Sequence, residues 1–145
     1  MKRLTKIITV FLVIVTLFSI YSHIVSAADS VGTKSLYYSK LDSIANISSS
    51  GMLTINNSYS IKNGSGFTSA KISTYVERRV LGLFWVKVDN GQPNKTWVDT
   101  STATTYNKQY TLQLPQTGTY RVTAEFIFYG SSGSETVTKQ PTATY

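Results

Sequence analysis

Apolar and polar residues alternate one by one along most of the chain that follows residue 28. In residues 53–61 four apolar side chains share one parity, at positions 53, 55, 59 and 61, while the polar residues at 54, 56, 58 and 60 share the other. Residues 119–128 show the same alternation most clearly. Strict alternation is typical of a strand with one buried and one solvated face. Because no window of about 11 residues or more repeats its apolar positions at helical spacing, the pattern predicts an all-β domain.

Short clusters of glycine, asparagine, serine and proline interrupt the alternating stretches and predict turns. These clusters fall at residues 62–66, 89–94, 115–118 and 130–134. Between them the pattern predicts about seven strands, at residues 53–61, 69–77, 83–88, 96–98, 110–114, 119–128 and 135–139. Pro141 has no N–H to donate, so we expect the tail at a sheet edge or outside the sheet. Short strands without crossover helices favour an antiparallel β-sandwich of two sheets.

A charged and then apolar segment precedes the alternating part of the chain. Residues 1–6 carry three basic side chains, and residues 7–20 are apolar apart from two threonines and one serine. This order is typical of a secretion signal peptide. The apolar run is shorter than the roughly 20 residues that a membrane-spanning helix needs, which favours cleavage over an uncleaved anchor. We therefore predict a signal-peptide helix in residues 1–27, cleavage after Ala27 or Ala28, and one β-sandwich domain in residues 28–145.

Removal of this leader changes the composition of the chain. It takes away three of the 14 basic residues and His23, the one histidine. The remaining chain carries 11 basic and seven acidic side chains, a net charge of +4, and the whole sequence has no cysteine. These absences exclude Ser-His and Cys-His pairs and a histidine or cysteine zinc site. We expect no enzyme activity, no metal and no cofactor, and one pair of adjacent arginines gives little support for nucleic-acid binding.

Carboxylates are the remaining groups that could carry chemistry. Asp89 with Asp99, or Glu77 with Glu125, could form the acid pair of a glycosidase. Asp89 and Asp99 with Asn90 also offer the oxygen ligands that calcium prefers. The calcium set lacks EF-hand-like spacing, and acids on the loops and strands of a sandwich surface are common, so we expect these side chains to be ordinary solvated groups.

Residues 75–88 hold more apolar side chains than one strand face can bury. One interpretation is a hairpin of two central strands, with Leu83, Phe84 or Trp85 in the sandwich core. The alternative is that residues 80–84 project as an apolar tip towards a membrane surface or a protein groove. In that alternative the candidate binding residues are Tyr75, Arg78, Arg79, Leu83, Phe84, Trp85, Lys87 and Trp97.

Several aromatic residues fall on the polar parity of their predicted strands and could form an exposed platform. Exposed rings stack on the faces of sugars in carbohydrate-binding sandwiches. The candidates are Tyr75, Trp97, Tyr106, Tyr110 and Tyr129. Tyrosine is also a good strand former, so cross-strand packing is the simpler interpretation.

Two resemblances add to this picture. Residues 114–122, LPQTGTYRV, resemble the entry to the strand before last in immunoglobulin-like and fibronectin-like sandwiches, where a glycine turn precedes a tyrosine that bonds back to the corner. Residues 76–85, with Trp97-Val98-Asp99 and residues 117–122, resemble small secreted proteins of Gram-positive, bacillus-type bacteria, which implies a single exported β-domain without an assigned site. The lack of cysteine agrees with a bacterial origin, because small exported eukaryotic domains usually carry disulfides.

We therefore expect a secreted, non-catalytic β-sandwich of immunoglobulin-like character that serves as an interaction module outside the cell or in its envelope. A cell-wall polymer, a membrane surface or another extracellular protein would be its partner, with attraction to anionic partners from the modest positive charge. Two alternatives remain open at this stage: an antibacterial, membrane-active protein and a carbohydrate-binding module.

Overall fold

The computed structural model describes residues 34–145 of the chain. Within them, residues 35–145 form a compact unit of nine strands and one short turn at Pro93–Lys95. The strands are β1 Tyr38–Ile47, β2 Met52–Ile61, β3 Phe67–Val80, β4 Phe84–Lys87, β5 Trp97–Ser101, β6 Thr105–Gln113, β7 Thr119–Gly130, β8 Gly133–Lys139 and β9 Thr142–Thr144. The predicted signal peptide lies outside the described residues and stays a prediction. Residues 34–145 contain no helix long and apolar enough to cross a membrane.

All strand pairs are antiparallel and form two sheets. The first sheet has the order β1-β2-β6. The second has the order β4-β3-β7-β8, with β5 beside the first half of β3 and β9 beside the first residues of β7. Side chains from both sheets share the core, which confirms the predicted all-β sandwich.

The alternation seen in the sequence matches the burial of the strands. The alternating apolar residues of β7, from Tyr120 to Phe128, are all buried, as are the apolar residues of β3 at positions 70, 72 and 76. Leu53, Ile55 and Tyr59 of β2 are buried opposite them. The strand periodicity therefore identified the core faces of the three central strands correctly.

A polar layer divides the core into two apolar clusters. One cluster contains Tyr59 and Ile72, and the other contains Ile55 and Val76. Asn57 lies between them on β2 and is fully buried. Its Nδ2 donates to Thr74 Oγ1 at 2.7 Å, and its Oδ1 accepts from Ser43 Oγ at 2.8 Å. The bond to Thr74 joins the two sheets, the bond from Ser43 joins β1 to β2, and together they satisfy groups whose burial would otherwise be unfavourable.

The alternation missed two strands, β1 and β9. In β1 the core-facing positions include Ser43 and Ala45, whereas Ile44 points to solvent, so the apolar pattern is weak. A register shift between Tyr38 and Lys40 disturbs the pattern further. In β9 three residues pair with the beginning of β7, which places the tail after Pro141 at a sheet edge as expected.

The β6–β7 connection has the corner geometry that residues 114–122 suggested. Tyr120 is buried, and its hydroxyl donates to the carbonyl oxygen of Gln116 at 2.5 Å. Gly118 has a φ of 150°, a conformation that favours glycine. The chain end is held at the same corner, because the backbones of Gly118 and Tyr145 exchange two hydrogen bonds of 3.0 Å. This corner forms one wall of the candidate site described next.

Candidate functional site

The β3–β4 hairpin, residues 77–87, extends beyond the end of the sandwich core. Strand β3 is 14 residues long, and its last four residues pair only with the four-residue strand β4 and the beginning of β7. The apolar side chains are exposed by 51% at Val86, 62% at Phe84, 74% at Leu83 and 84% at Leu81, whereas Trp85 between Phe84 and Val86 is half-buried. Four of the nine large apolar side chains that are exposed among the described residues therefore lie in this one hairpin.

The turn of the hairpin uses a backbone conformation that disfavours leucine. Leu81 and Gly82 both have positive φ, 53° and 69°, and Leu83 N donates to Val80 O at 3.1 Å. Hairpin turns of this kind favour asparagine or aspartate followed by glycine, because side chains with a Cβ are strained at positive φ. Leu81 is thus both strained and the most exposed large apolar residue among those described.

The interpretation that this hairpin fills the core is wrong for Leu83, Phe84 and Trp85. Leu83 and Phe84 lie beyond Val76, the last fully buried residue of β3, so the opposite sheet does not cover them. Trp85 pairs with Arg79 on the outer face of the second sheet, away from the core. The structure instead leaves the hairpin tip, residues 81–84, in solvent.

Arg78 and Arg79 point to opposite faces of the hairpin. Arg78 shares the core-facing parity of Val76 and lies opposite Val86 and Tyr120. Arg79 has the other parity, lies opposite Trp85 and is exposed. The two arginines therefore do not form the single basic patch that their adjacency suggested, because successive side chains alternate along a strand.

Aromatic rings and charges are paired on the outer face of the hairpin. The Arg121 guanidinium lies 4.4 Å above the Trp85 ring, and Lys87 Nζ lies 4.0 Å from the centre of the Tyr75 ring. Arg121 also binds Glu77, with Nη2 2.7 Å from Oε2. The acid of the hairpin is therefore neutralised, and its three cations, Arg78, Arg79 and Lys87, remain in excess.

A shallow cleft opens on the core-facing side of the hairpin, between β4 and the β6–β7 corner. It has a volume of about 300 Å³ and is lined by Arg78, Val86, Lys87, Val88, Asp89, Pro115 and Gln116. The aliphatic stem of Arg78 runs along this corner, close to Gly118. The hairpin therefore has a charged recess behind its apolar tip.

Trp97 and its neighbours do not form an exposed aromatic platform. Trp97 of β5 stacks on Tyr110 of β6 with the ring centres 4.9 Å apart, and it packs against the core cluster. Tyr106 stacks on Tyr59 at 5.3 Å. The packing interpretation therefore holds for these rings, and Trp97 faces the core, not the outer face of the hairpin where Trp85 and Lys87 lie.

Asp99 holds the edges of the two sheets together beside these rings. Its Oδ2 accepts hydrogen bonds from Tyr106 Oη at 2.8 Å and from Tyr110 Oη. Burial is the main cause that raises the pKa of both tyrosines above the usual value of 10.0, and their hydrogen bonds with Asp99 add to it. Asp99 is therefore occupied in a contact between β5 and β6.

Other acidic residues that were considered for a glycosidase pair or a calcium site also have partners within the fold. Glu77 binds Arg121, and Asp89 Oδ1 accepts from the backbone N–H of Gly91 at 2.9 Å. Residues 34–145 contain no group of three or more histidine, cysteine or acidic side chains that could hold a metal ion.

Comparison with models of protein families and with curated proteins found no match to this chain. The geometry of the hairpin is therefore the observation on which a functional proposal can rest.

Proposed function

We propose that this protein is exported and acts as a non-catalytic interaction module that holds a component of the cell envelope with its β3–β4 hairpin. The backbone conformation and the exposure of Leu81 are the observations that carry this proposal. A leucine at positive φ stores backbone strain, and a leucine 84% exposed adds apolar surface to solvent. Asparagine at position 81 would reduce both the backbone strain and the exposed apolar surface. The stability of the fold therefore does not explain why leucine is present there. Departures from what the fold favours are expected at functional positions.

The charge of the hairpin supports an anionic partner. Arg78, Arg79 and Lys87 lie within a few residues of the tip, and Glu77 is neutralised by Arg121. The chain without its predicted leader also has a net charge of +4. Anionic polymers and lipids of a bacterial envelope would be attracted to such a surface.

As part of this proposal, we assign the sandwich to the immunoglobulin-like type. Strands β1, β2 and β6 correspond to strands A, B and E of that fold, and β3, β7 and β8 correspond to C, F and G. The hydrogen bond from Tyr120 to Gln116 matches the tyrosine corner at the start of strand F. The hairpin projects at the end of the sandwich that holds this corner, opposite the end that carries the β2–β3 and β7–β8 turns.

Export is tested by the mass of the secreted product. The full sequence would be expressed in a Gram-positive host and the protein recovered from the medium. We expect its N-terminus at Ala28 or Asp29, because small residues precede these positions. Protein that stays with the cells and retains Met1 would contradict export.

The contact surface is tested by sedimentation of the exported protein with isolated bacterial envelopes. Replacement of Leu83 and Phe84 by serine removes exposed apolar surface without opening the core, and we expect it to weaken cosedimentation about tenfold or more. The matched control replaces Ile44 and Val98, which are 52% and 55% exposed and distant from the tip in sequence. Equal binding by both double variants would overturn the proposal.

A membrane-permeabilising, antibacterial role is a second candidate, because an apolar tip with flanking cations also suits proteins that disrupt membranes. Release of a dye trapped in anionic vesicles distinguishes the two functions. A module that only binds leaves the dye inside the vesicles, whereas a permeabilising protein releases it.

A further inference from the structure

The apolar side chains of the hairpin tip point in several directions. Phe84 and Val86 lie on the core-facing parity of β4, Trp85 lies on the opposite face, and Leu81 and Leu83 form the turn. A protein partner with a fixed groove would contact one face of the hairpin and leave the other in water. A lipid bilayer surrounds a projecting tip on all sides without a matched shape, so this distribution favours a lipid environment.

The spacing of cations along the hairpin fits the thickness of a lipid headgroup layer. Each strand residue advances about 3.3 Å, so Arg79 and Arg78 lie roughly 7 and 10 Å behind Leu81 along β3. The headgroup layer on each side of a bilayer is roughly 5–8 Å thick. With the hairpin along the bilayer normal and Leu81 at the boundary of the acyl chains, Arg79 falls within the headgroup layer, and Arg78 lies at its outer edge, where its long side chain reaches the phosphates.

The remaining residues of the hairpin suit the same arrangement. Trp85 is half-buried with Arg121 above its ring, and indole rings are enriched at membrane interfaces. Lys87 lies four residues behind Leu83 on β4 and faces the same direction as Trp85. The one acid of the hairpin, Glu77, is neutralised by Arg121, so little opposes the approach of an anionic surface.

We infer that the partner of the hairpin is the surface of an anionic lipid bilayer, into which Leu81, Leu83 and Phe84 insert while Arg78 and Arg79 bind lipid phosphates and Lys87 adds positive charge behind them. This inference rests on the proposed function, because it names the envelope component that the hairpin contacts. Insertion reaches the boundary between headgroups and acyl chains and does not span the bilayer.

The first test measures cosedimentation of the exported protein with two kinds of vesicle. One contains phosphatidylglycerol and phosphatidylcholine in about equal amounts, and the other contains phosphatidylcholine alone. We expect binding to the anionic vesicles to exceed binding to the neutral ones at least about tenfold, and to fall as salt is added. Equal binding to both vesicles, or no binding to either, overturns the inference.

The second test measures depth with a fluorescent residue at the tip. Leu83→Trp places an indole at an exposed position that carries no core contact, so we expect the variant to fold normally. Lipids brominated on their acyl chains should quench its added fluorescence, and Val98→Trp on β5 serves as the matched exposed control. Quenching that is no stronger at position 83 than at position 98 overturns insertion of the tip.

Failure of the lipid inference and failure of the proposed function give different experimental results. If serine at positions 83 and 84 weakens binding to whole envelopes but the protein ignores anionic vesicles, the lipid inference is wrong and a wall polymer or envelope protein is the partner. If the same variant binds envelopes as well as the unaltered protein does, the proposed function itself is wrong.

Discussion

The side chains of Arg78 and Arg79 lie on opposite faces of the β3–β4 hairpin, although the two residues are neighbours in the chain. Arg78 lies opposite Tyr120 and lines the cleft behind the tip, whereas Arg79 lies opposite Trp85 on the outer face. A partner that binds both must therefore surround the hairpin. This arrangement favours a lipid surface over a partner that docks on one face of the hairpin.

Charge reversal at the two arginines should weaken envelope binding independently. Arg78→Glu and Arg79→Glu each exchange an attraction for a repulsion, and each should reduce binding about tenfold or more at low salt. Because the side chains face opposite ways, we expect the effects to add in the double variant. Lys71→Glu, an exposed charge on the same strand, is the control in cosedimentation. A loss confined to one arginine would indicate a partner on a single face.

Replacement of Leu81 by asparagine should stabilise the fold and weaken binding at the same time. Asparagine adopts positive φ more readily than leucine, so we expect the free energy of unfolding to rise by about 1 kcal/mol. The lost apolar side chain should reduce envelope binding. Urea denaturation and cosedimentation measure the two effects, with Ile44→Asn on β1 as the exposed control. A variant that gains stability and keeps full binding would remove the functional explanation for Leu81.

The buried side chain of Asn57 should contribute far more to the free energy of unfolding than the side chain of Asn56 does. Asn57→Ala removes the hydrogen bonds to Thr74 and Ser43 and leaves both hydroxyls without this partner inside the sandwich. We expect the free energy of unfolding to fall by about 2–3 kcal/mol. Asn56→Ala, on the opposite face of β2, should change it by less than about 0.5 kcal/mol. Similar values for the two variants in urea denaturation would show that the polar layer is unimportant.

The tyrosines bound to Asp99 should make the fold sensitive to alkaline pH. The pKa of Tyr106 and Tyr110 is raised in the folded protein, so the folded state keeps their protons where the unfolded state loses them. In the unfolded chain the pKa of tyrosine is about 10. The difference in pKa stabilises the folded protein fully below that pH, and this stabilisation declines as the pH rises above it. Urea denaturation across this range should show a shallower decline for Tyr106→Phe. An unchanged slope would contradict the assignment.

The central strands could be predicted from sequence because most of their core-facing residues are apolar and alternate with polar ones, although β2 and β3 each place one polar residue, Asn57 and Thr74, in the core. In β7, Val122, Phe126 and Phe128 mark one face, and a turn with Gly118 precedes them. Strand β1 could not be found this way, because Ser43 occupies a core-facing position and Ile44 points to solvent. A polar residue such as Ser43 is tolerated there only because Asn57 bonds it, and that partner lies across the sheet.

The candidate site was predictable in composition but not in placement. The unusual apolar content of residues 75–88 indicated the hairpin, yet the exposure of the hairpin tip depends on how far β3 extends past the strands of the opposite sheet that cover it. Strand β3 has 14 residues and β2 has ten, and no local pattern encodes this difference. The opposite directions of Arg78 and Arg79 follow from simple alternation, so that part of the geometry was available in the sequence.

Hydrogen–deuterium exchange of the protein, alone and bound to isolated envelopes, is the most direct test of the proposed contact surface, because it locates the contact without assuming the partner. We predict slower exchange in peptides that cover residues 78–87, with the exchange of β1 and β8 unchanged. Protection of β1 or β8, with the hairpin exchanging as fast as in the free protein, would contradict it.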